Sequence, residues 1–268
     1  MPAADILMTE LAEAGFESFE DTPGGFRAYI SAEHFEPSSL SLLERWNDSE
    51  TKLSFVQRRI PAQNWNEAWE SNFQPVSVAG RCLIRAPFHE PQPEFEYELV
   101  IEPRMSFGTG HHETTSLVTE KLLTMNLSGR WVMDMGCGTG VLGILAAKRG
   151  AAAVMGIDIE ENAVENAREN VARNGVSMAV EKGDEAALAG RKFHVILANI
   201  NKNVLLGSIP LYAEALEPGG NLILSGFFTT DEAVLNEACR KAGLEPVARA
   251  ERNSWSLLEF TRKEKEGK

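Results

Sequence analysis

Val132-Met133-Asp134-Met135-Gly136-Cys137-Gly138-Thr139-Gly140 is the stretch that decides the fold. An apolar run ends in an acid and passes into alternating glycines, and Val141-Leu142-Gly143-Ile144-Leu145 then continues as the start of an apolar helix. Residues without a Cβ let a chain leaving a strand turn sharply and lie close to a ligand, so this is the opening of a βαβ unit. The pattern continues outward. Strand-like runs at Trp131 to Met135, Val154 to Asp158, Met178 to Glu181, Phe193 to Asn199 and Asn221 to Gly226 alternate with helical segments near 141–149, 160–174, 203–216 and 230–242. Pro218-Gly219-Gly220 is expected to stop the third of these helices and Ala242-Gly243 the fourth. A hairpin of Glu245 to Ala250 and Ser254 to Thr261 finishes the set. The expectation is α/β: a doubly wound, mostly parallel sheet.

The N–H groups at the start of the helix after the glycines are free to meet an anion, here expected to be a carboxylate. Asp134, at the strand tip, is expected to hold a positively charged ligand group nearby. Asp158, eighteen residues beyond Gly140, closes the second strand, where an acid can accept hydrogen bonds from both ribose hydroxyls. S-adenosylmethionine has both charges at its amino-acid end and a ribose beyond them. A rival reading uses the same glycines: Gly138, Gly140 and Gly143 spell G-x-G-x-x-G, and Asp158 then suits a nicotinamide dinucleotide. An acid at Asp134 would repel a pyrophosphate, which favours the methyl donor.

The fourth strand ends Leu197-Ala198-Asn199-Ile200-Asn201. Asn199 therefore reaches the carboxyl edge of the sheet, where ligands of doubly wound folds bind and where an amide can aim a nucleophile; its bland alternative is a turn cap. Asp184 can meet an adenine amino group or serve turn chemistry in Gly183-Asp184. Phe107-Gly108-Thr109-Gly110-His111-His112-Glu113-Thr114-Thr115 precedes the first helix of the domain. It is no zinc-protease motif, since Ser116 stands where the second histidine of H-E-x-x-H belongs, and no P-loop, since no Gly-Lys-Ser/Thr follows. Thr114 and Thr115 can be read as helix-capping hydroxyls. His34, His89 and His194 are isolated, and no metal site is expected.

Upstream, a helix over 3–14 ending at Gly15, extended stretches near 16–21 and 25–30, a helix near 37–47 and a strand near 51–60 form a small α/β unit, with Pro61 at its boundary. The 268 residues are 43% hydrophobic and 24% charged, and no window approaches the ~18 uninterrupted apolar residues of a membrane span. No secretory signal opens the chain and the three cysteines, Cys82, Cys137 and Cys239, are far apart, so a reduced, cytoplasmic protein without a membrane partner is expected. Residues 1–100 carry 17 acidic and 7 basic side chains, most of the chain's net charge of −13. Such a surface binds phosphate backbones poorly and suits a basic protein partner better, so no direct nucleic-acid binding is expected.

Taken together, Met105 through Thr115, Asp134 through Gly140, Gly156-Ile157-Asp158-Ile159 and Ala198-Asn199-Ile200 resemble the ribosomal protein L11 methyltransferase family. Asn64-Trp65-Asn66-Glu67-Ala68-Trp69 and Arg85-Ala86-Pro87-Phe88-His89 add to the likeness, which runs from about residue 61 to 262. The F-G-T-G-x-H-x-T-T element is its specific part; the glycine loop alone indicates only the superfamily. The resemblance implies a Rossmann-like class I methyltransferase domain over 79–268, a linker over 61–78 and an N-terminal substrate-recognition domain over 1–60, acting as a monomer. It implies methyl transfer from S-adenosyl-L-methionine to α-amino and lysine ε-amino groups of ribosomal protein L11. Carried over by motif, the cofactor-binding residues are Thr115, Gly136, Gly138, Asp158 and Asn199, with Asn199 also catalytic through its carbonyl, and Phe107 and His112 beside the pocket. Members of the family open with a strand before their first helix, whereas here the helix begins almost at Met1, so either the native start lies upstream or the N-terminal sheet lacks a strand. Alternatives are a class I methyltransferase acting on another ribosomal or translation protein, a noncatalytic sensor of the donor, and the nicotinamide-dependent oxidoreductase. Glutamine and ribosomal RNA methyltransferases fit less well, because Asn199-Ile200-Asn201-Lys202 departs from Asn-Pro-Pro-Tyr and the first hundred residues are acidic.

Overall fold

The structure, a computed structural model, describes residues 3–46, 53–59, 74–103, 108, 110 and 112–263. Two units divide the chain, Met1–Trp69 and Glu70–Lys268. In the first, helix α1 (Ala3–Glu13) ends at Gly15, whose φ of +95° is the left-handed conformation that closes a helix and that glycine adopts without a Cβ penalty. Strands β1 (Ser18–Thr22) and β2 (Gly25–Tyr29) follow as a tight antiparallel hairpin, and Leu7, Leu11, Phe16 and Leu43 form the buried centre. The segment Pro37–Trp46 is helical as expected but of the tighter 3₁₀ type. The strand expected near 51–60 is not formed over its described part, 53–59. Phe55 and Val56 are 54% and 81% exposed, and as neighbours they would point to opposite faces of any strand, so pairing there would bury only one of them.

The second unit opens with a small mixed sheet that sequence periodicity did not reveal: β3 (Val76–Val78) runs antiparallel to β4 (Cys82–Arg85), which pairs in parallel with β5 (Tyr97–Val100). Residues 76–78, expected at the end of a linker over 61–78, are thus strand; 61–73 and the Trp65–Trp69 connector lie outside the described residues. Helix α2 (Glu113–Thr124) leads into the main sheet. Its parallel strands are β6 (Trp131–Met135), β7 (Ala153–Asp158), β8 (Ala179–Lys182), β9 (Phe193–Asn199) and β10 (Leu216–Phe228). The antiparallel pair β11 (Leu244–Arg252) and β12 (Trp255–Arg262) completes the order β11-β12-β10-β9-β6-β7-β8.

Connecting helices are α3 (Val141–Lys148), α4 (Glu161–Arg173), α5 (Lys202–Ala215) and α6 (Glu232–Lys241). Successive strand residues point to opposite faces, and both faces are covered. Val132, Val195 and Ile223 pack with α2, α3 and α4; Met133, Ile196 and Leu222 pack with α5 and α6. Helix α5 ends at Ala215, ahead of the expected Pro218-Gly219-Gly220 stop, because Leu216 already takes extended backbone and pairs with Phe193. The Pro-Gly-Gly residues fill an irregularity in β10 between Leu216 and Asn221. From β8, at one edge, the chain returns across the sheet to β9, so the strand order reverses between β6 and β9. The carboxyl ends of those two strands open the crevice in which ligands of doubly wound sheets bind.

Candidate active site

Four segments meet at that carboxyl edge. The first is the glycine loop after β6. Gly136, Gly138 and Gly140 all have positive φ, at +69°, +53° and +79°, a backbone path that β-carbon-bearing residues take only with strain. Gly136 and Cys137 donate their N–H groups to Ile157 O at 2.8 and 3.0 Å, folding the loop over the end of β7. Gly138 donates to Asp158 Oδ2 at 2.8 Å, and Asp158 Oδ1 accepts the Glu160 N–H at 3.0 Å. The half-buried Asp158 carboxylate therefore braces the loop while each oxygen keeps acceptor capacity. Ile159, 64% exposed, offers an apolar surface immediately beyond it.

Asp134 takes a different place from the one expected. It is 1% exposed, and its Oδ2 accepts the Gly143 N–H at 2.9 Å, one turn into α3, so it anchors the helix from beneath the loop instead of meeting a ligand cation directly. Burial pushes its pKa up to about 7, against the lowering effect of the Gly143 N–H, and the Asp158 charge pushes the same way as burial. Burial likewise holds the Cys137 thiol neutral, well above its ordinary range. Gly143, the last glycine of the G-x-G-x-x-G spacing, serves close packing: a Cβ there would meet Met178 Cε at 2.5 Å.

The second and third segments hold Asn199 and Thr115. Asn199 ends β9, paired in register with Ser225 of β10; it is 9% exposed, and its Oδ1 has no hydrogen-bond partner. The turn-cap alternative belongs instead to Asn201, whose side chain accepts the Val204 N–H at 3.2 Å at the start of α5. Thr115, in the first turn of α2, is fully buried with an unpartnered Oγ1. Neither Thr114 nor Thr115 caps that helix, because His112 does: its Nδ1 accepts the Thr114 N–H at 3.3 Å. A buried oxygen left without a partner costs about 1–3 kcal/mol, so two of them on the elements around one crevice fit a polar ligand that supplies hydrogen bonds. Asp184 caps the short 3₁₀ turn Glu185–Leu188 through Ala186 N–H at 3.0 Å, the turn role of its two readings.

The fourth segment was missed in sequence. Trp255, at the start of β12, packs edge-on against the His112 ring with centroids 4.5 Å apart and lies over Phe228 at 4.1 Å. Only the register Phe228↔Trp255 between β10 and β12 brings these rings together, and no local pattern announces it. Gly108, from the F-G-T-G element, joins the loop as well: Thr139 Oγ1 donates to Gly108 O at 2.7 Å. Met105 to Phe107, Thr109 and His111 lie outside the described residues. No group of three or more His, Cys, Asp or Glu able to hold a metal occurs among the described residues.

A doubly wound sheet with a glycine loop braced by an acid at the end of β7, and with a buried amide at the end of β9, defines a class I S-adenosylmethionine-dependent methyltransferase. The family model described as Ribosomal protein L11 methyltransferase (PrmA) matches residues 10–263. A Porphyromonas gingivalis ribosomal protein L11 methyltransferase is 45% identical over 97% of this chain and 91% of its own length, and one from Phocaeicola vulgatus is 42% identical over 97% and 94%. The crystal structure of a ribosomal protein L11 methylase from Lactobacillus delbrueckii subsp. bulgaricus aligns with a TM-score of 0.67 at 27% identity, over 71% of this chain and all of that one. The chain belongs to the ribosomal protein L11 methyltransferase family, with S-adenosylmethionine as methyl donor.

Proposed function

We propose that the protein methylates amino groups of ribosomal protein L11, both the α-amino group and lysine side chains, at the crevice between β6 and β9. The observation that carries this reading is the buried, unpartnered Asn199 Oδ1 at the end of β9. The bound donor supplies an electrophilic sulfonium methyl. Gly136, Gly138 and Asp158 are the residues to hold its amino-acid end and ribose, with the Thr115 hydroxyl beside it. Asn199 Oδ1 is the proposed acceptor for an N–H of the incoming amine, a bond that directs the nitrogen lone pair; its lack of another partner supports this role.

Methyl transfer needs a neutral amine. An α-amino group with a pKa near 7.7 is partly neutral at pH 7, whereas a lysine near 10.4 must lose its proton at a cost of roughly 4–5 kcal/mol. Asp134 is no base for this step: it is sealed beneath the loop and bonded to Gly143. The chain's contribution is therefore proximity and desolvation, with the aromatic group of His112, Trp255 and Phe228 shielding the acceptor side.

Residues 1–60 are proposed to recognise the substrate, joined by a linker to the catalytic domain; the acidic first hundred residues suit a basic partner. We take the protein to act as a cytoplasmic monomer that needs no direct nucleic-acid binding. No helix among the described residues is long and apolar enough to cross a membrane. Incubation with radiolabelled S-adenosylmethionine and unmethylated ribosomal proteins, read by gel and then by mass spectrometry, tests the proposal. Label in L11 supports it. Label in RNA or in another protein overturns the substrate, and donor binding without transfer to any ribosomal fraction overturns the activity.

A further inference from the structure

Helix α4 carries three asparagines one turn apart, Asn166, Asn170 and its cap Asn174, on the side that faces β5 and the glycine loop. They act as a substitute strand. Asn174 Oδ1 accepts the Val100 N–H at 2.9 Å and its Nδ2 donates to Val100 O at 2.7 Å, while Asn170 Oδ1 accepts the Glu102 N–H at 2.9 Å and Asn166 Nδ2 donates to Glu102 O at 3.4 Å. A free strand edge is thereby closed by side-chain amides. Asn170 does more than its neighbours: its Nδ2 also donates to Thr139 O at 3.0 Å, near the end of the glycine loop. Thr139 in turn donates its hydroxyl to Gly108 O at 2.7 Å. Asn166, Asn170 and Thr139 are all fully buried, and the bond from Asn170 to Thr139 is itself shielded from solvent.

We infer that Asn170 is a positioning residue for the methyl-donor site. Through Thr139 one amide holds both the glycine loop and Gly108, and through Glu102 it holds the chain just beyond β5, which precedes the same F-G-T-G element in sequence. The geometry makes donor affinity depend on a side chain that does not touch the donor. A planar amide is the side chain that can do this here, because the bond to Glu102 needs an acceptor and the bond to Thr139 needs a donor, and an amide has both on a single carbon. The inference rests on the reading that the donor lies on the glycine loop.

The test compares Asn170→Ala, Asn174→Ala and Asp158→Ala in the full chain, by calorimetric titration with S-adenosylmethionine, steady-state kinetics and thermal unfolding. Asn174→Ala loses the bonds to Val100 of β5 and Asn170→Ala the bonds to Glu102 and Thr139, so both should melt at lower temperature. Only Asn170→Ala should raise the donor Kd and KM, by about tenfold, the size of one lost buried hydrogen bond, with kcat changed little. Should Asn170→Ala not fold, Asn170→Ser, whose hydroxyl is too short to span both partners, carries the same comparison. An unchanged donor Kd in the Asn170 variant beside a weakened Asp158→Ala overturns the role of Asn170 alone, as does equal weakening in Asn174→Ala. Unchanged affinity in Asp158→Ala as well removes the donor from the loop and the reading beneath the inference.

Discussion

Asp158 Oδ2 accepts the backbone N–H of Gly138 at 2.8 Å, tying the acid at the end of β7 to the middle of the loop that follows β6. A carboxylate that already braces the loop is pre-organised for a ligand lying across both strands, since neither the loop nor the acid must be ordered at binding.

Asp158→Ala should therefore weaken S-adenosylmethionine binding on the order of a hundredfold, the loss of charge-assisted bonds to the donor plus a loosened loop. Asp158→Asn, whose amide oxygen can still accept from Gly138, should fall between it and the native protein. Titration calorimetry of the three proteins checks the order.

The unpartnered oxygen of Asn199 gives a split in kinetics. Asn199→Ala should cut kcat on the order of a hundredfold while the donor Kd moves by no more than about threefold, because the oxygen is assigned to the amine. Equal losses in both would make Asn199 a donor contact only. Single-turnover rates beside equilibrium binding separate the cases.

Asp134 predicts a pH effect on stability. Its folded pKa is raised to about 7 from an ordinary value of 3.8, chiefly by burial, so the folded state prefers the neutral acid. The stabilising difference is fully present below the unfolded value and is lost as pH rises toward 7, a change on the order of 4 kcal/mol. Asp134→Asn keeps an acceptor for Gly143 and does not ionise. Its gain in melting temperature over the native protein should grow from pH 4 to 7 and level off above; a gain independent of pH would count against a buried carboxyl that titrates.

Gly226 and Gly136 both press on Ile200, in different ways. A Cβ at Gly226 would overlap the backbone oxygen of Ile200 and one at Gly136 its Cγ2 methyl, and both glycines have positive φ. The methyl can clear by rotation about χ1, which the branched Cβ resists, whereas the backbone oxygen has no such rotation. Gly226→Ala should cost roughly 2–4 kcal/mol and displace Ile200, the residue next to Asn199, lowering kcat as well as stability, and Gly136→Ala should cost less stability. Denaturant unfolding with parallel kinetics measures both.

Strands β6 and β9 lay within the bounds expected from sequence, and the main helices fell within one or two residues, because long apolar runs alternating with amphipathic segments leave little choice of element. The mixed sheet of β3, β4 and β5 was not legible. Its strands are three or four residues long, too short for a period of two to stand out, and β5 and Glu102 just past it find partners in Asn174 and Asn170, on a helix some seventy residues away. For the same reason Asn166, Asn170 and Asn174 looked like polar residues of an amphipathic helix. Asp134 was visible as an acid at a strand tip, but only packing showed that it faces Gly143.

By itself the sequence determined the class of sheet, the order of its elements, the glycine loop and the strand ends at Asp158 and Asn199, because these depend on spacing along one segment of chain. Tertiary structure alone decided that Asp134 is sealed under the loop, that Trp255 and Phe228 join His112, and that Asn170 holds Thr139 and Glu102 together. Each of these joins residues distant in sequence. Which of a side chain's possible partners it meets is set by strand register and helix packing, and neither leaves a mark on the residues immediately around it.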